Sequence, residues 1–141
     1  MARAVLGVIA GVVVWLLVAT LGNIVIRFAL PGYAEVETAM RFTTAMMAAR
    51  LCLGVLSSLA AGLVAAWITG RNGVAIAILA GILLVFFVPV HYGLWEKFPL
   101  WYHLAFLISL VVITPLGAML IRPRTSHAGG EPAHVARDRA P

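Results

Sequence analysis

Four apolar runs, none of them containing a charged residue, occupy most of this chain: Ala4 to Ile26, Leu51 to Gly70, Asn72 to Val90 and Leu104 to Ile121. A helix that crosses the hydrocarbon of a bilayer needs roughly 17 to 25 such residues, because each residue advances only about 1.5 Å. All four runs are long enough. The expected fold is therefore an all-α integral membrane protein with four antiparallel transmembrane helices over 4–26, 51–70, 72–90 and 104–121. A short amphipathic segment is expected between the first two, and a disordered basic tail over 122–141.

Composition removes the soluble alternative. The chain is 63% hydrophobic and 11% charged, with a mean hydropathy of +1.06, whereas soluble domains run near 45–50% apolar and about 25% charged. A pI near 10.4 and a net charge of +5 would suit nucleic acid if the cations formed a face. They do not; they sit at run ends and in the tail, where they set topology and attract anionic lipid heads. The partner expected from composition is the bilayer, together with other membrane proteins or further copies of this chain, and not nucleic acid. The single cysteine, Cys52, falls within the second run and is read as a small apolar residue.

Arg3 followed by an apolar run resembles a secretory leader, but the run continues to Ile26, past the length of an ordinary leader core and without a small-x-small cleavage site. It is read as an uncleaved first helix. Arg3, Arg71, Arg122, Arg124, Arg137 and Arg139 then share one side of the membrane, against Arg27, Arg41, Arg50 and Lys97 on the other. That bias places both termini in the cytoplasm, and in a bacterium the membrane would be the inner one.

Between the runs the signals are local. Pro31-Gly32 ends the first helix. From Tyr33 to Arg50, Val36, Met40, Thr43 and Met47 recur at helical spacing and Glu37 and Arg41 stand four apart, which predicts an amphipathic helix with an internal ion pair, lying at the membrane surface or leading continuously into the second helix. Gly70-Arg71-Asn72-Gly73 is a tight turn, and Thr114-Pro115 predicts a bend in the fourth helix.

Helices in lipid associate through close packing and polar contacts, so small residues along one face mark interfaces. The candidate packing residues are Gly7 and Gly11 on the first helix, Gly54, Ser58 and Gly62 on the second, and Gly73, Ala77 and Gly81 on the third. The second helix is expected innermost, and the stretch from Ile82 to Val88, with Leu83, is expected to face lipid.

Residues able to carry chemistry are few. His91 to His103 gathers two Trp, two Tyr, two His and the Glu96-Lys97 pair, which reads first as an aromatic belt at the headgroup level with its histidines solvated. The competing arrangement brings His91, Glu96 and His103 together on a metal, haem or quinone. Their spacing matches no ligand motif. Arg50 is placed at the outer boundary of the second helix, its alternative being a buried charge paired with Glu35, Glu37 or Glu96. Asn23 and Thr20 are read as interhelical hydrogen-bonding groups. Paired acids, a nucleophile triad, a phosphate loop and a Cys/His metal signature are missing, so no catalytic residue, cofactor or metal is expected. The function expected is that of a non-enzymatic subunit, assembly factor or modulator of a membrane complex. A small oligomeric transporter or channel comes second and a membrane redox protein third.

Overall fold

A computed structural model of the chain describes residues 1–121, so the expectation of a disordered tail over 122–141 lies outside the described residues. The described part is helical throughout, with no strand: α1 Ala2–Ala29, α2 Tyr33–Glu37, α3 Thr44–Thr69, α4 Gly73–Gly93 and α5 Leu100–Met119. By length and apolar content α1, α3, α4 and α5 are each able to cross a membrane.

The ends of the helices follow from local chemistry. Leu30 is forced to an extended backbone by the proline that follows it, which stops α1. Gly32 then takes a left-handed φ of 74°, open to glycine at little cost, and turns the chain into α2. Thr43 is extended and its hydroxyl accepts from the Met46 amide, starting α3, which Gly70 closes at φ 67°. Asn72 accepts from the amides of Val74 and Ala75 to start α4.

The amphipathic helix expected from Tyr33 to Arg50 is not continuous. Only Tyr33–Glu37 is helical before a turn in which Met40 adopts φ 53°, and the irregular Arg41-Phe42-Thr43 stretch leads into α3. Glu37 also forsakes Arg41 and pairs with Arg27, Oε2 to Nε 2.9 Å. The capping threonine explains the break: it must be extended to present its hydroxyl to α3.

α3 is the central helix, packed along its length on α1 and on α5. Gly7 meets Thr69 and Ala65, Gly11 meets Ala61 and Leu79, Trp15 meets Ser58, and Gly22 meets Leu53. Later positions on α1 thus meet earlier ones on α3. On the other side, Gly54 lies against the Phe106 ring, Gly62 against the backbone of Thr114, and Gly117 against the backbone of Leu59. α4 covers α1 and α5 and delivers Leu79 and Leu83 to a core shared with Trp15, Ala61, Ala65, Phe106 and Leu110.

α4 turns a different face to the bundle from the one expected. Gly73 and Gly81 have open space where a side chain would point, and Ala77 is exposed. The helix turns its other edge inward: Ala75, Ile76, Leu79, Ala80 and Leu83 are buried. Leu83, expected in lipid, is 2% exposed, while Val85 is 73% exposed. Leu83→Ala should therefore lower the thermal midpoint in detergent by an amount equivalent to about 2 kcal/mol or more, from the cavity it leaves. Val85→Ala should change it little; equal midpoints for both variants would contradict this packing.

Candidate functional site

The polar side chains of the bundle gather at the end formed by the α1–α3 and α4–α5 connections. Three of the site's members enter from the first connection or the helices flanking it. Asn23 sits on α1, Tyr33 opens α2 and is fully buried, and Arg50 lies on the second turn of α3. Tyr102 comes from α5 and is 4% exposed.

Their hydrogen bonds form one directed chain. A carboxylate only accepts, so Asn23 turns its amide nitrogen to Glu37 Oε1 at 3.1 Å. The Asn23 oxygen is left to accept from the Tyr33 hydroxyl at 3.0 Å. The Tyr33 oxygen in turn accepts from Arg50 Nη1 at 2.7 Å, and Arg50 Nε reaches the Tyr102 oxygen at 3.4 Å. The guanidinium also lies over the Phe42 ring, 4.8 Å from its centroid. Phe42 itself is stacked between Tyr33 and Phe98, with centroids 5.1 Å and 5.9 Å away.

Arg50 is thus not the ion-pair partner of Glu35, Glu37 or Glu96. α3 begins at Thr44, about 9 Å before it along the axis, and the half-buried guanidinium is tied to two phenols. Among the described residues the one salt bridge is Arg27–Glu37. The cluster therefore holds two guanidinium groups and one carboxylate.

His91 and His103 do meet, but on each other. Their Nδ1 atoms are 2.8 Å apart, and His103 Nε2 is 3.2 Å from the Phe98 carbonyl. That carbonyl can only accept, so His103 carries its proton on Nε2. When His103 is neutral, its bare Nδ1 accepts from Nδ1–H of His91. Only His91 Nε2 then keeps a free lone pair, and ligation by both rings would require breaking the pair. Glu96 is exposed and lines a separate hollow with Met40, Arg41 and Lys97. No three His, Cys, Asp or Glu side chains converge among the described residues.

The histidines are also not solvated, as a belt would have them: His91 is 6% and His103 1% exposed. Trp95 stacks on His103 with centroids 4.9 Å apart, and Phe106 lies 4.6 Å from His91. The aromatic run is split in two. Tyr92, Trp95 and Trp101 are exposed, while Tyr102 and the histidines are buried.

Between α1 and α5, above α3, lies a crevice of about 450 Å³. Its polar wall is Thr20, Asn23, Arg27, Arg50 and Tyr102; its apolar wall includes Trp15, Leu16, Leu53, Phe87 and Phe106. The floor is fixed by Trp15, whose ring packs on Phe87 at 4.5 Å and whose Nε1 donates to Ser58 Oγ at 3.1 Å. Ser58 passes its own proton to the Gly54 carbonyl at 2.8 Å.

No family model, curated protein or solved structure matches this chain. The site must be interpreted from its own chemistry. Sequence reasoning named Arg50, His91, His103, Asn23 and Thr20 and missed the structural part of Tyr33 and Tyr102. A signal for Tyr102 was present: with Phe106, Leu110 and Thr114 it forms a four-residue stripe that Trp101 does not share. Nothing comparable marks Tyr33, which is buried by a turn rather than by a helical face.

Proposed function

We propose that the chain is a non-enzymatic subunit or modulator of a larger membrane complex, inserted through four antiparallel helices with both termini cytoplasmic and the polar cluster on the opposite side. In a bacterium this would be the inner membrane. The observation that carries the reading is the unused edge of α4. The small-residue faces of α1 and α3 are consumed within the bundle, whereas among the described residues nothing stands against Gly73 or Gly81, and Ala77 between them is exposed. An open small-residue edge on an otherwise packed bundle suits a further transmembrane helix, since close backbone approach is what drives association in lipid. A conduit through one chain is less well supported, because Trp15, Leu79, Leu83, Phe106 and Leu110 fill the middle of the bundle.

The test is native mass in mild detergent. The chain should run as a complex larger than its 15.0 kDa mass plus micelle, and Gly81→Leu should release a folded monomer. A parent protein that is already monomeric would sink the proposal. Orientation is checked with C-terminal reporters: a fluorophore competent only in the cytoplasm should glow, and phosphatase activity there would reverse the topology.

A further inference from the structure

We propose that the crevice between α1 and α5 is a binding site for an anionic membrane lipid, with the lipid phosphate held by Arg50 and Arg27 and its chain lying along the apolar wall. The argument starts from charge. A guanidinium has five N–H donors and stays protonated; Arg50 spends two of them on Tyr102 and Tyr33, and the other three have no protein acceptor among the described residues. Glu37 is the only carboxylate in the network, and Arg27 already holds it. The crevice is thus lined by two arginines, and among the described residues the only charge that balances them is one carboxylate. A partly desolvated cation is costly unless an anion approaches it.

Position selects the kind of anion. α3 is 26 residues long, about 39 Å, against about 30 Å of hydrocarbon. A centred α3 puts the Arg50 backbone about 5 Å inside the hydrocarbon edge, so its side chain ends where lipid phosphates sit. Planar guanidinium matches phosphate with two parallel hydrogen bonds. The second half of the crevice selects an amphiphile over a free ion: Trp15, Leu53, Phe87 and Phe106 offer a surface that inorganic phosphate would leave wet. Thr20 and Ile24 at the lip are exposed, so the way in is lateral.

The inference rests on membrane insertion, which resistance to alkaline carbonate extraction tests separately. Purified full-length protein in a neutral detergent is titrated with phosphatidylglycerol, phosphatidylcholine or sodium phosphate, and thermal midpoint and lipid retained by native mass spectrometry are read. Phosphatidylglycerol should raise the midpoint and stay bound one to one, at least tenfold more tightly than phosphatidylcholine, and sodium phosphate should do neither. Arg50→Gln should abolish that preference. Because Arg50→Gln also removes two hydrogen bonds, Ala19→Phe provides an independent arm: it fills the crevice from α1 and removes none of the polar chain's hydrogen-bonding groups, and should block retention in a folded protein. Equal retention of both lipids overturns the proposal. So does an undiminished preference in folded Ala19→Phe, or stabilisation by sodium phosphate equal to that by the lipid.

Discussion

Gly62→Leu is expected to abolish accumulation of folded protein, and Gly117→Leu to do the same, while Gly81→Leu leaves the isolated chain as stable as the parent. A Cβ at Gly62 would strike the Thr114 carbonyl, and one at Gly117 would strike the Leu59 carbonyl. Both obstacles are backbone, so no rotamer change relieves them and α3 and α5 must separate. Overpacking a core that can adjust costs about 1 to 3 kcal/mol; here the cost should exceed that range. At Gly81 nothing stands in the way. Yield and monodispersity of the three variants in detergent check the ranking, and a well-folded Gly62→Leu would mean that α3 and α5 do not meet as described. Gly54 should be milder, because a Cβ there meets only the edge of the Phe106 ring, at 3.0 Å.

His103→Leu is the second large effect expected. It strands the Phe98 carbonyl and the His91 Nδ1–H group and removes the ring on which Trp95 stacks. Each buried group left without a partner costs about 1 to 3 kcal/mol, so the two together predict a loss of about 2 to 6 kcal/mol. His91→Leu should cost less, since it strands only one ring nitrogen of His103. Adding it to His103→Leu should restore part of the loss, because the orphaned donor disappears with it. Thermal midpoints of the two single variants and the double variant form the cycle that measures this. Strict additivity would show that the two rings do not share a proton in the folded protein.

The apolar runs made the four helices legible because length and charge depletion are one-dimensional properties. Their ends were less so. α1 runs through Arg27 to Ala29, and α3 begins at Thr44, seven residues before the apolar run. A charge does not stop a helix when a partner such as Glu37 waits beyond its end. The central place of α3 could be read from its small residues, yet the same spacing in Gly54-Ser58-Gly62 and Gly73-Ala77-Gly81 led to opposite surroundings. Small residues show where a backbone is able to approach; whether one arrives depends on which edge the neighbouring side chains turn inward. The histidines were unreadable for a related reason. His91 and His103 have the same aromatic neighbours in sequence whether the ring faces water or the bundle, and only the inward stripe of α5 distinguishes the two cases.

α3 and α4 are joined by a short turn, yet the backbone of α3 lies mainly against α1 and α5. The bundle therefore cannot be completed hairpin by hairpin as the chain leaves the ribosome. In a membrane, as proposed, α3 with its Arg50 would keep the side that α5 covers bare until α5 follows. Tyr102, Phe106 and Gly117, its lasting partners, are among the final residues of the described chain to be made. Burial of the core then becomes a late event, and a polypeptide cut short within α5 would leave α3 as the exposed element that quality-control proteases meet first.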